Sequence, residues 1–248
     1  VYRSRTAAAV TAVALGWSAL TGCAGPSDAL KSNLDRDAGA LVRESAGLFR
    51  GADDIRIVGD QLVLSSKGVN YDSTKRVDYD LCVRGGRDYR GTFDVSGRTA
   101  EAILVGDKSY LKGNAGFWEW GGTEGLSPAT TTRPLIDRYA TRAYDSTDPL
   151  HTLGSIFGPS LVGYRKDEPV TVDGRTLIPL VHTGEDENGN GDVGTRTVYV
   201  QAYGKPYPVK VTTRGRRPQT AKLTTSGHPC APVAPPADTV VDWKRPRK

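Results

Sequence analysis

The sequence contains no Met, only four Phe, three His and three Cys in 248 residues. So few His (151, 182, 228) and Cys (23, 82, 230) leave little material for a metal cluster. The motifs of common chemistries are missing as well. There is no G-x-S-x-G, no H-E-x-x-H, no C-x-x-C and no P-loop, and each His reads as a surface or strand-edge residue. No charge block exists before the last five residues. Acids and bases are interspersed, so the formal charge of +5 does not form the basic stripe of a nucleic-acid binder. The lack of Met leaves the nature of the first residue open.

No hydrophobic run is long enough to span a bilayer. Residues 6–20, uncharged and mostly small or apolar, would reach roughly 22 Å as a helix, against roughly 30 Å for a hydrocarbon core. It follows Arg3 and Arg5 and leads into Leu20-Thr21-Gly22-Cys23. This is the layout of a secretory leader, and its last four residues resemble the lipobox of bacterial lipoproteins. That resemblance implies cleavage before Cys23 and acylation of its sulfur. Residues 1–22 are then a signal peptide and 23–29 a tether, and the mature chain lies outside the cytoplasmic membrane, where disulfides persist. With Cys23 acylated, Cys82 and Cys230 are the remaining thiols and are expected to pair. Loss of the leader removes Arg3 and Arg5 and no acid, lowering the formal charge from +5 to +3.

What the chain has in quantity is turn-formers: 29 Gly and 15 Pro, about 18% of the residues. Residues 28–49 have helical periodicity, with Leu30, Leu34, Ala38, Leu41, Ser45 and Leu48 on one stripe, Asp28 as cap and Gly51 as stop. The period then changes to two. Strands are expected at 55–65, 76–84, 87–95, 99–105 and 108–112, with a hairpin turn at Gly85-Gly86. Residues 134–144 and 148–157 read as short helices, with Pro134 and Asp148 at their starts. Strands resume at 169–173, 175–182, 195–203, 209–213 and 219–225, and the Pro-rich end from Pro229 is expected to fray.

The order helix, meander, helices, meander gives an α+β fold: a curved antiparallel sheet with helices packed on its concave side. No linker interrupts it, so residues 30–241 form one domain, followed by a basic tail, 242–248. Alternation places Val77, Tyr79, Leu81, Val83 and Phe93 of the first meander on the helix-facing side. Val198, Val200, Val209 and Val211 of the second take the same side. Phe117, Trp118 and Trp120 stand where the first meander meets the helical segment, at the mouth of an apolar cavity on the functional reading. Two other motifs carry little. Gly189-x-Gly191-x-x-Gly194 precedes a strand and is flanked by acids, so it fits a hairpin loop rather than a dinucleotide site. Asp186-x-Asn188-x-Asn190 resembles the start of a calcium loop, but Thr197 stands where a bidentate Glu is required.

Several stretches in order resemble the actinobacterial lipoproteins of the LppX/LprG type, which share the LolA-like fold. They are Ala102 through Lys112 with Trp118 shortly after, Val172-Asp173-Gly174 before a strand, Val198-Tyr199-Val200 through Pro206 to Val211, and Ala234 through Asp238. The resemblance implies a half-open β-barrel with helices lining its concave face and an acylated lipid bound between sheet and helices. It implies no catalysis and no cofactor. Its site would be lined by the nine strand residues named above together with Trp118. The expected partners are a lipid or acylated ligand and the cytoplasmic membrane, reached through the Cys23 anchor. No protein partner is indicated. The alternative is a structural or signalling envelope lipoprotein whose core is filled and binds nothing.

Overall fold

The computed structural model describes residues 31–64, 74–118, 135–136, 138–143, 156–157, 160–185, 193–215, 218–225 and 227–242. The expected leader and tether, with Cys23 and Asp28, lie outside them.

Helix α1 spans Ala38–Arg50. It buries Leu41, Val42, Ser45, Ala46 and Phe49, a stripe at the helical period. The Asp37 carboxylate accepts from the Ala40 N–H at 3.0 Å, and the Gly51 N–H donates to Gly47 O. The helix therefore begins ten residues later than the periodicity predicts. Residues 31–37 are instead spent on docking. Ser32 bridges to Tyr203, and the buried Asn33 side chain donates to Gln201 O at 3.0 Å and Gly204 O at 2.9 Å. The Lys166 ammonium donates to the Leu34 and Arg36 carbonyls.

The described strands form one sheet that does not close into a barrel. They are β1 (Ile55–Leu64), β2 (Thr74–Arg84), β3 (Asp88–Val95), β4 (Arg98–Val105), β5 (Lys108–Gly113), β6 (Tyr139–Ala143), β7 (Arg165–Lys166), β8 (Val170–Val172), β9 (Arg175–Glu185), β10 (Val193–Gln201), β11 (Pro208–Arg214), β12 (Gln219–Thr225) and β13 (Val240–Asp242). Their spatial order is β13-β6-β5-β4-β3-β2-β1-β12-β11-β10-β9-β7, with β8 on β9. Two antiparallel meanders thus meet at the β1–β12 pair, where Ile57 stands opposite Leu223 and Gly59 opposite Ala221. Tight turns join neighbours: Gly85 and Gly86 both have φ near +60°, and with Arg87 they make a three-residue loop between the paired Arg84 and Asp88, one residue longer than the two-residue hairpin expected.

Three expectations need correction. The described residues of 134–144 do not form a helix: Tyr139–Ala143 is strand β6, antiparallel to β5 and parallel to β13. The edge of β5 needs a hydrogen-bonding partner, and Tyr139 and Thr141 favour a pleated backbone. The Tyr139 hydroxyl donates to Glu101 at 2.7 Å, fixing the strand against β4. The chain beyond Pro229 is not frayed as far as Asp242. Cys230 is buried and bonded to Cys82, its N–H donates to Asp53 O at 2.8 Å, and Val240–Asp242 pair with β6. The start of α1 is the third. Of the helix expected at 148–157, only Ile156 and Phe157 are among the described residues, and both are buried in a turn.

Candidate functional site

The face of the sheet that carries α1 is built from cross-strand rows. Along β1 the inward residues are Ile55, Ile57, Gly59 and Gln61. Ile55 lies beside Val83 of β2, and Val83 beside Tyr89 of β3, which stands next to Leu104 of β4. The next row runs from Leu223 through Ile57, Leu81 and Gly91 to Ala102. A third crosses both meanders: Leu180, Val198, Val211 and Ala221 on one side of the seam, and Gly59, Tyr79, Phe93 and Ala100 on the other. Most of these side chains are buried in one apolar cluster with Leu41, Val42, Ala46 and Phe49 of α1.

Glycines permit the close packing of this face. A Cβ on Gly91 would stand 2.5 Å from Leu81 Cδ2, and one on Gly59 would stand 2.9 Å from the Tyr79 hydroxyl. Tyr79 and Leu81 therefore lean across their neighbouring strands. The Tyr79 hydroxyl accepts from Gln219 Nε2 at 2.9 Å. Burial pushes its pKa up to about 12; the Gln219 bond opposes the rise and the Asp60 charge adds to it.

Helix α1 covers one end of this face. The Gly85 N–H donates to Ala52 O, just past the helix, at 2.8 Å. A Cβ on Gly86 would meet Phe49 Cδ1 at 3.3 Å. At the other end the inward residues become polar. Gln61 pairs with Gln219, Gln219 with Thr213, Thr213 with Arg196, and Arg196 with His182.

Of the sequence-expected lining, Tyr79, Leu81, Val83, Phe93, Val198, Val200 and Val211 come together in the main cluster, and Val77 packs at its border. Val209 does not. The register shifts at Tyr199/Val200, so Pro208 takes the buried position opposite Val200 and Val209 is left half-buried in the bulge. Trp118 belongs to a separate small cluster with Leu135 and Ala140. It follows the short helix α2 (Ala115–Phe117), whose Phe117 N–H is capped by the Asn114 side chain at 2.9 Å, and its ring meets Phe117 edge-on at 5.4 Å. Leu111 touches both clusters. Trp120 lies outside the described residues.

The polar row was not visible in the sequence. Its members are scattered over five strands, and only the register brings them into line. Ile156, Phe157 and Tyr164 also join the main cluster; the first two end a segment expected as a short helix, and Tyr164 belonged to no expected element. On the opposite face, Arg56 forks onto Asp80 at 2.8 and 2.5 Å and holds that carboxyl below its usual range. Arg90 meets Glu101 through two of its nitrogens, both on the same carboxylate oxygen. Among the described residues no group of three His, Cys, Asp or Glu forms a metal site, and no helix is long and apolar enough to cross a membrane.

The architecture is similar to that of solved bacterial lipoproteins. LprF from Mycobacterium bovis shares 13% identity, with 82% of this chain and 97% of that chain covered and a TM-score of 0.43. The lipoprotein LppX from Mycobacterium tuberculosis shares 12%, over 75% of this chain and 93% of that one, at 0.48. A LolA superfamily protein from Nitrosomonas europaea shares 10%, over 76% and 91%, at 0.33. No protein-family model matches the sequence, and no curated protein does. At such identities and scores the likeness assigns no function.

Proposed function

We propose that this is an exported lipoprotein, anchored through Cys23 to the outer side of the cytoplasmic membrane, which binds or transfers an acylated lipid or a similar hydrophobic ligand without catalysis. In this reading the sheet is a half-open barrel and the ligand lies on its concave face beside the helices. One observation carries it: the apolar inward rows continue across eight strands from β9 to β4, while a single described helix of 13 residues lies on them. Eight strands at about 4.8 Å and six residues of strand at about 3.3 Å make a face of roughly 38 by 20 Å. A helix of this length covers roughly 20 by 10 Å of it. The inward residues are nonetheless buried, so other segments of the chain cover the rest of the face, and a ligand would lie between those segments and the sheet.

Burying one acyl chain yields about 0.8 kcal/mol per methylene, enough for stable binding before ordering costs. The test joins native mass spectrometry of the protein purified from its own host with a variant, Val198→Trp. A carrier is expected to co-purify with acylated species, and the variant to lose them while its melting temperature holds. A ligand-free wild-type protein whose variant simply melts earlier, by roughly 1–3 kcal/mol of overpacking, would establish the filled-core alternative instead.

A further inference from the structure

Residues 31–33 are fixed at one corner of the sheet. The Gly204 N–H donates to Lys31 O at 3.0 Å, and Ser32 bridges to Tyr203. Together with the two bonds from the buried Asn33 side chain, these contacts hold the segment against the turn between β10 and β11. Eight residue steps separate Cys23 from Lys31, a reach of at most about 29 Å at full extension. The sheet is longer than that: β13 lies nine strand spacings from β10, roughly 43 Å. An anchor at Cys23 therefore keeps this corner close to the bilayer, while the far edge can stand away from it.

The side chains at the corner suit a membrane interface. Tyr203 is 44% exposed and Val170 38%. The register brings them to the same end: Val170 stands opposite Leu177, Leu177 opposite Gln201, and the Ala202 N–H donates to Thr176 O. Lys31, Lys205 and Arg175 are exposed around them, and none of the three side chains meets a carboxylate among the described residues. Of the acids at this end, Asp173 is engaged by Lys222 at 3.4 Å, which leaves Asp35. Farther along the edge, Glu168 is offset by Lys166, whose ammonium takes only the Leu34 and Arg36 carbonyls. The corner therefore carries an excess of positive charge around an exposed aromatic ring.

We propose that this corner, Tyr203 with Lys31, Arg175 and Lys205, lies against the anionic lipid surface of the bilayer that holds the Cys23 anchor. The inference rests on the anchoring reading above and adds the orientation of the body and the lipid charge it selects. A tyrosine ring sits well at head-group level, with its apolar body inward and its hydroxyl in the wet layer. Each cation gains from the negative surface potential within a Debye length of the surface. In this pose the start of α1, a few residues past Asn33, lies on the membrane side of the sheet.

The test places the acylated protein from its own host in two kinds of vesicle, phosphatidylcholine alone and phosphatidylcholine with phosphatidylglycerol added. Amide exchange is then read by mass spectrometry at residues 203–207, with the Ser96-Gly97 turn at the opposite end of the sheet as reference. On the anionic vesicles, residues 203–207 should exchange roughly fivefold slower than on the neutral ones, while the reference turn is unchanged. High salt should abolish the difference. The triple variant Lys31→Gln/Arg175→Gln/Lys205→Gln should lose the slowing on anionic vesicles while it stays with the vesicle fraction. Its three positions are exposed, so an unchanged melting temperature is expected alongside. Equal exchange on both vesicles, slowing that survives in the triple variant, or slowing at the Ser96-Gly97 turn instead each overturns the docked corner and leaves the anchor intact. A wild-type protein that stays with neither vesicle overturns the anchoring reading and the orientation with it.

Discussion

Cys82 and Cys230 are joined across 148 positions of sequence, with their Cα atoms 5.5 Å apart. Cys82 sits in the middle of the first meander, on the face away from α1, and Cys230 opens the segment that returns to the far edge as β13. The bridge therefore ties the end of the chain to its earliest hairpin. In the chain-entropy model a loop of this size stabilises by about 5 kcal/mol. The Cys82→Ser/Cys230→Ser protein should lose up to that amount in urea unfolding, and the amides of Val240–Asp242 should exchange faster than the rest of the sheet. Unchanged protection of those amides would mean that β13 holds without the bridge.

Asn33→Ala should be costly for so small a change. The side chain is 1% exposed; it donates to two carbonyls and accepts from Arg36 at 2.9 Å. Its loss strands the Gln201 and Gly204 oxygens in a dry site, worth roughly 2–3 kcal/mol. The urea midpoint measures it. A shift below about 0.5 kcal/mol would show that water replaces the amide freely.

Tyr79 makes stability fall in alkali. Its folded pKa of about 12 stands above the ordinary value of 10. The folded state thus holds the proton more tightly, and the stabilisation is complete below pH 10 and is lost as pH rises from there toward 12. The full effect is on the order of 2–3 kcal/mol. Tyr79→Phe should be somewhat less stable at pH 8, because Gln219 loses its acceptor, yet its stability should decline less between pH 10 and 11.5. Parallel curves for the two proteins would contradict the account.

Anchoring has a direct check. Cys23→Ala should move the protein from the membrane fraction to the soluble one, or stall it with its leader attached. A variant still cut after Gly22 and still membrane-bound would overturn the lipobox reading.

The strand alternation was legible because each inward set is chemically uniform: Val77, Tyr79, Leu81 and Val83 alternate with Asp78, Asp80 and Cys82. The register between distant strands was not. Nothing local in Ile55–Leu64 names Gln219–Thr225 as its partner, so the polar row stayed hidden until the strands were laid side by side. Val209 was misplaced because a bulge spends one extra residue and turns the expected face. Helix α1 was recognised by its apolar stripe but started too early, since Leu30 and Leu34 extend the stripe while Asn33 follows the competing demand of buried carbonyls. At Tyr139–Ala143 the helical reading lost to an open sheet edge, a tertiary requirement that no window of sequence contains.

The seam between β1 and β12 also governs when the molecule can finish folding. Each meander closes on contacts between neighbours in the chain, but Ile55 meets Thr225 about 170 positions away. Such a contact carries a high loop-closure cost and slows the search for the native state. Until the last long strand has emerged, β1 has an unpaired edge in the centre of what will become the sheet, open to association with other chains.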